Sequence, residues 1–322
     1  MSTQHPMSRR AFVVATGLAA AGSAIAMSSR SFARARHEPD DGIVARMRKQ
    51  ASTARVHTQS LRGGVSVLAG AGGNIAVVSG PDGKVLVDSG ISTARRQVEE
   101  ALAAIDGHPI RYLVNTHWHF DHTDGNAWMH AAGAVVVASA NCRTRLSQAT
   151  RVDGWNFTFP PSTAGAIPQI TPGDSLTLHL GGSTLVLEAL GPAHTDTDLL
   201  VEFQEAAVMH VGDVWWNGHY PFIDYSTGGS IDGTISAVDT CLARAKESTI
   251  IIPGHGPVGD ASQLAEFREM LIKVRERVAR MKKQGKTLAE VITARPTLEF
   301  DPRYGHFLMA PADFTGLVYS GV

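Results

Sequence analysis

Residues 115–126 read Asn-Thr-His-Trp-His-Phe-Asp-His-Thr-Asp-Gly-Asn, placing His117, His119, Asp121 and His122 within six positions. An isolated histidine is most often a satisfied core or surface group, but this density of imidazole and carboxylate reads as a metal clamp. His117 and His119 lie two apart, so in an extended segment their side chains point to the same side. Asp121 continues that alternation and His122 points elsewhere, which divides the cluster between two neighbouring sites. Three single candidates follow: His194 after Leu190-Gly191-Pro192-Ala193, Asp213 after His210-Val211-Gly212, and His255 within Pro253-Gly254-His255-Gly256-Pro257. Each follows an apolar, β-rich run and sits beside Gly or Pro, as expected of ligands held by tight turns at strand ends. The seven residues suffice for two metals. Nitrogen and oxygen donors without a thiolate suit zinc and also accept iron, manganese or cobalt.

Such ligands need rigid supports, and the flanking pattern supplies them. Short apolar strands are expected at residues 65–69, 75–79 and 84–88, the last two separated by the Pro81-Asp82-Gly83 turn. A helix over residues 92–105 follows, with Val98, Leu102 and Ile105 on one face. A buried strand at residues 110–114 then delivers the clamp at its carboxyl end, where α/β sheets usually place their chemistry. A helix through Trp128 and Ala131 and a strand at residues 135–138 close the first half. Residues 151–171, rich in Pro, Gly, Ser and aromatics, read as a surface excursion. β-type runs resume at residues 175–180, 184–190, 199–203 and 207–211. A helix at 231–245, a strand at 249–252 and a helix at 263–283 complete the pattern. Both halves run strands first and then alternate helix with strand, which predicts two similar α/β halves packed sheet against sheet with helices outside. No internal sequence repeat accompanies this symmetry.

The chain of 322 residues has 29 basic and 30 acidic side chains, unevenly spread. Residues 1–35 carry Arg9, Arg10, Arg30 and Arg34 and no acid, so their removal takes the net charge from -1 to -5. The Arg9-Arg10 pair leads into a mild run of small and apolar residues ending in possible small-x-small cleavage sites near residues 26–36. This looks like a twin-arginine export signal, with periplasmic or secreted delivery. The run is too short and too rich in Gly, Ala and Ser to span a bilayer stably, and no stable membrane insertion is expected after cleavage. Residues 36–322 then form one catalytic domain with a full core. Its acidic balance, without a basic stripe interleaved with aromatics, argues against nucleic acid and for a small-molecule substrate. Cys142 and Cys241 are too few and too far apart for a disulfide framework and read as buried free thiols.

The His-x-His-x-Asp-His motif, the later His194, Asp213 and His255 in that order, and the strand-ending Asp88 resemble the metallo-β-lactamase-fold hydrolase superfamily, over about residues 65–259. The resemblance implies a four-layer αβ/βα sandwich of two mixed β-sheets with outer helices. It implies that His117, His119 and His194 hold one metal, that Asp121, His122 and His255 hold the second, and that Asp213 bridges both, most simply as two Zn2+. The mechanism implied is hydrolysis by a metal-bridging hydroxide, with Asp121 as the catalytic residue that orients the nucleophile and moves its proton. Asp88 is expected behind the ligands, fixing a histidine or the clamp loop. The bridging Asp213 points to the thioesterase, lactonase and phosphodiesterase branches. Dedicated β-lactamases of the superfamily usually have cysteine or serine there, which leaves only promiscuous lactam cleavage. Trp216 stands where lactonases often place a tyrosine, and Trp216, His219 and Tyr220 in the aromatic loop after Asp213 are candidate substrate contacts. Trp155, Phe157 and Phe159 are expected in a lid over the same cleft. The competing class is a mononuclear iron sulfur dioxygenase, which uses the same ligand set and is separated from a hydrolase by its metal count.

Overall fold

A computed structural model describes residues 42–180 and 182–322. The expected export signal lies outside the described residues. In chain order the strands are β1 (His57–Ser60), β2 (Val65–Ala69), β3 (Ile75–Gly80), β4 (Gly83–Val87), β5 (Ile110–Val114), β6 (Val135–Val137), β7 (Thr150–Val152), β8 (Phe157–Phe159), β9 (Ser175–Leu180), β10 (Ser183–Ala189), β11 (Leu199–Phe203), β12 (Val208–His210), β13 (Ile250–Ile252) and β14 (Gly259–Asp260). The helices are α1 (Ile43–Thr53), α2 (Arg95–Ile105), α3 (Phe120–Thr123), α4 (Asn126–Ala131), α5 (Ala140–Ser147), α6 (Ile231–Arg244), α7 (Ala261–Lys283), α8 (Leu288–Thr293), α9 (Asp301–Tyr304) and α10 (Pro311–Gly321).

Strands β1 to β6 form one six-stranded sheet in sequential order, and β9 to β14 form a second in the same manner. Each begins as an antiparallel meander and gains parallel pairs where a helix makes the crossover: α2 between β4 and β5, and α6 between β12 and β13. Alternation along the strands explains how the sheets stack. Val65, Val67, Ala76, Val78, Val85 and Val87 meet Leu185, Leu187, Val201, Phe203 and Ile252 in a core between the sheets. The intervening Leu68, Ile75, Val77 and Leu86 face outward, into a core that also holds Val44 of α1 and Val98 and Leu102 of α2. On the other side, Leu200, Met209 and Ile251 face α6, α7 and α10. Strands covered on both faces read as near-continuous apolar runs, and the result is the expected α/β sandwich of four layers.

Several elements were not visible in the sequence pattern: α1, the exposed edge strand β1, and everything after α7. The last three helices pack against α7 through Phe314, Val318, Val291 and Tyr304, each buried. Residues 151–171 carry the short hairpin β7–β8. Among the described residues no helix is long and apolar enough to cross a membrane.

Candidate metal centre

All seven predicted ligands sit at carboxyl ends of strands. The clamp follows β5, His194 follows β10, Asp213 follows β12 and His255 follows β13. The extended alternation expected within the clamp stops at His119. The chain turns there into α3, where His122 N donates to His119 O at 3.0 Å and Thr123 Oγ1 donates to the same carbonyl at 3.0 Å. Asp121 and His122 therefore ride on a helical turn, which carries both of them to the group of His255, whereas strand alternation would have left Asp121 on the side of His117 and His119. Beneath the turn, Asn115 and Asn126 exchange amide hydrogen bonds of 3.0 and 2.8 Å, both buried.

Asp88 occupies the position expected of it. At the end of β4 it takes a left-handed turn (φ 67), and its carboxylate accepts Thr116 N at 2.7 Å, Thr116 Oγ1 at 2.8 Å and His122 Nδ1 at 2.8 Å. Donation from Nδ1 leaves His122 Nε2 bare toward the centre. Asp224, which the sequence pattern did not single out, does the same for His119. Its Oδ2 lies 3.0 Å from His119 Nε2 while its Oδ1 accepts Ser226 N at 3.1 Å. The Asp-x-Ser spacing signals only a turn cap, so nothing local marks Asp224 as a histidine partner. Asn74, also missed, anchors the His255 loop by donating to Pro253 O and Gly256 O, both at 2.9 Å.

The ligand atoms gather into two groups, His117, His119, His194 and Asp213, and Asp121, His122 and His255; within each, all lie within 4.8 Å of one another. Asp213 touches both. Its Oδ1 is 3.1 Å from His122 Nε2, and its Oδ2 is 3.4 Å from His255 Nε2, 3.5 Å from His194 Nε2 and 3.7 Å from His117 Nε2. Asp121 Oδ2 is 3.2 Å from His255 Nε2.

Three observations show that this set fits cations. His117 Nε2 is buried without a hydrogen-bond partner, a costly state for a polar atom, and His122 Nε2 and Asp213 Oδ1, 3.1 Å apart, are buried with only each other as neighbours in range. His194 Nδ1 donates to Phe222 O at 2.7 Å and His119 donates to Asp224, so two bare nitrogens, His194 Nε2 and His119 Nδ1, face each other at 2.9 Å. Either a proton on one ring or a cation between the two accounts for that approach. Burial, finally, pushes His117 well below the usual imidazole range and His194 down to about 4, leaving both neutral and ready to bind. Burial also opposes charge on His122 and His255, yet Asp213 and Asp121 outweigh it, holding His122 well above its ordinary value and His255 at about 9. The carboxylates thus demand positive charge, which protons or cations can supply. Glycine makes the packing possible: a Cβ at Gly254 would collide with Asp213 Oδ1, and one at Gly73 with the His122 ring.

Residues 69–255, more than half the chain, match the Metallo-beta-lactamase superfamily. The chain belongs to that superfamily. A hydroxyacylglutathione hydrolase from Polaromonas sp. is 29% identical over 172 residues, covering 52% of this chain and 57% of that protein, so the match spans little more than half of the relative's length. Among solved structures, a metallo-beta-lactamase from Pontibacter korlensis superposes with a TM-score of 0.53 at 21% identity, over 67% of this chain and 99% of its own. The stereoselective inverting sec-alkylsulfatase Pisa1 from Pseudomonas sp. gives 0.62 at 17% identity, over 86% of this chain and 51% of its own. These structural likenesses show the superfamily fold and no more.

Beside the superfamily's ligand positions lies a cavity of about 530 Å³, with Asp121 and Asp213 in its wall. Trp216 lines it and packs its ring on His255, centroids 4.5 Å apart. Trp155 lines it too, over His119 at 4.7 Å and stacked on Phe222 at 5.4 Å, while Phe159 packs inward against Phe120. Of the three aromatics expected over the cleft, Trp155 alone lines this cavity. His219 is not in the cavity wall: it stacks on Phe307 at 4.5 Å. Tyr220 is corrected outright. It is fully buried between Tyr304 and Phe314, and its hydroxyl reaches Asp301 Oδ1 at 2.9 Å and Thr297 O at 3.2 Å, so it belongs to the core beneath the C-terminal helices.

Proposed function

We propose that this protein is a dinuclear, zinc-dependent hydrolase that cleaves a lactone, thioester, ester or lactam. The observation that carries the reading is Asp213, a single carboxylate within 3.1–3.7 Å of imidazole nitrogens from both ligand groups. In this reading His117, His119 and His194 hold the first cation, Asp121, His122 and His255 the second, and Asp213 is shared. Cations held by these residues would supply Lewis acidity, lowering the pKa of a bound water from about 15.7 toward 7 and offsetting charge on the substrate oxygen.

The chain's own groups do the rest. Asp121 orients the attacking water and passes its proton toward the leaving group, the work of a positioned carboxylate. Asp88 and Asp224 fix the ring orientation of His122 and His119, so that Nε2 of the first and Nδ1 of the second point inward. Trp155 and Phe222 cover the His119 edge and exclude water from it. The hydroxyacylglutathione hydrolase relative supports acyl transfer to water as the reaction class.

The test is a panel of lactones, thioesters, phosphodiesters and β-lactams assayed on protein whose metals have been quantified. Two metals per chain and loss of hydrolysis on chelation are expected. Hydrolysis unchanged by chelation, or one iron per chain with oxygen uptake on a persulfide, overturns the reading. We place the mature protein, residues 36–322, in the periplasm, on the strength of Arg9, Arg10 and the small-residue run behind them. Cell fractionation after replacing both arginines by lysine checks this, since retention of normal export would contradict it.

A further inference from the structure

The cavity beside the ligand groups has a chemical character that the centre does not explain. Its far wall comes from outside the matched residues 69–255: Leu288 and Ile292 of α8, Leu308 and Met309, and Leu317 of α10, with Ile43 and Met47 of α1 completing it. Trp155, Trp216 and Phe222 form the near wall. At about 530 Å³ it accommodates one small molecule, within the range of ordinary ligand sites.

Its charge is one-sided. The charged side chains in its wall are Asp121 and Asp213, at the centre, and Asp313, in the first turn of α10 and exposed; no Lys, Arg or His stands among the lining residues described. Four arginines of the neighbouring C-terminal elements are engaged elsewhere: Arg275 with Asp232, Arg277 with Glu299, Arg268 with Asp239 and Arg303 with Glu266. Beyond the centre, where the cations of the hydrolase reading would sit, an anionic tail lying along the far wall would lose its water shell without gaining a counter-charge and would meet Asp313.

Resting on the hydrolase reading above, we infer that the substrate is an uncharged acyl compound, a thioester, ester or lactone whose aliphatic or ring-shaped body fills the C-terminal cavity. It is not one recognised through carboxylate, phosphate or sulfate. Glutathione thioesters, which carry two carboxylates, are therefore poor substrates, in contrast to what the name of the Polaromonas relative states of that protein.

The experiment uses the full, metal-loaded protein and two matched thioester series, one on neutral N-acetylcysteamine and one on glutathione, each bearing acetyl, butanoyl, octanoyl and dodecanoyl groups. On the neutral carrier kcat/KM is expected to rise about fourfold per added methylene until the cavity is full, the counterpart of about 0.8 kcal/mol per buried methylene. The glutathione series is expected at least tenfold lower at equal acyl length. Leu317→Trp, and independently Leu308→Trp on the more exposed rim, should lower the octanoyl-to-acetyl ratio about tenfold. A flat chain-length profile, a preference for glutathione, or ratios unmoved in both variants overturns the inference. Binding of decanamide, followed by fluorescence of the lining Trp155 and Trp216, reads the cavity without turnover. Saturable quenching that weakens in the two variants supports the inference, and no quenching overturns it. Saturable binding with no hydrolysis of any panel member would overturn the hydrolase reading alone.

Discussion

Around one cavity, the metal centre and the C-terminal layer are built in opposite ways. The centre packs five histidines and two aspartates into two groups whose atoms lie within 4.8 Å of one another, with His122, His119 and His194 held by Asp88, Asp224 and Phe222 O. The layer of α8, α9 and α10 turns an apolar face inward, with Phe314 stacked on Tyr220 at 4.6 Å and Val291 and Val318 fully buried, and keeps its polar contacts, such as Arg303 with Glu266, mostly at its margins. The difference separates two jobs. Residues that must share charge are pinned to strand ends of two sheets, whereas residues that only shape a volume come mainly from helices at the end of the chain.

Perturbations that strike one region and spare the other test this division. The largest effect is expected from Asp213→Ala, which removes the carboxylate shared by both ligand groups. Metal content measured by atomic spectroscopy should fall and turnover drop about 10³-fold or more, while far-UV circular dichroism stays native. Unfolding of that variant at room temperature would show that the centre and the scaffold are not separable. Asp121→Ala should retain the fold and lose about 10²- to 10⁴-fold in kcat, the range of a lost proton-handling group. Near-normal turnover removes that role from Asp121. Asp224→Asn and Asp88→Asn, read by metal titration as well as rate, should each cost about 10- to 100-fold in affinity or activity. In the other region, Phe314→Ala should destabilise by about 3–5 kcal/mol in denaturant unfolding, with metal affinity little changed. If metal binding falls as much as stability, the layer supports the centre directly. Smallest of all, Cys142 and Cys241 are free and fully buried, burial pushing the Cys241 thiol up to about 12. Ellman's reagent should therefore label neither in the native protein and both after denaturation.

The same contrast decides what could be read in advance. Strands β2, β5, β9 and β11 stand where the apolar pattern puts them: β2 and β11, buried on both faces, leave a near-continuous signature, and β9, exposed on one face, leaves an alternating one. The seven ligands were equally visible, since imidazole and carboxylate beside Gly or Pro at strand ends is a rare combination. Asp224 was not, because its Asp-x-Ser context describes a turn and its partner His119 is 105 residues away in sequence. Tyr220 misled for the complementary reason. An aromatic residue shortly after a ligand suggests a pocket wall, and only the course of residues 297–304, which bring Thr297 and Asp301 to its hydroxyl, turns it inward. The closing helices after α7 are short, and a helix of six residues carries too little periodicity to announce itself.

One consequence concerns the order in which the molecule comes together. Each ligand group draws on both sheets: His117 and His119 join His194 and Asp213, and Asp121 and His122 join His255. Neither half of the polypeptide owns a complete site, so a chain folded only through its first sheet offers four ligands and no finished cage. Cations that bind tightly only to the assembled form act as a clasp between the halves, adding RT ln(1 + [L]/Kd) to the cost of prising them apart. Retention of metal then serves as a certificate that the last-synthesised half has docked.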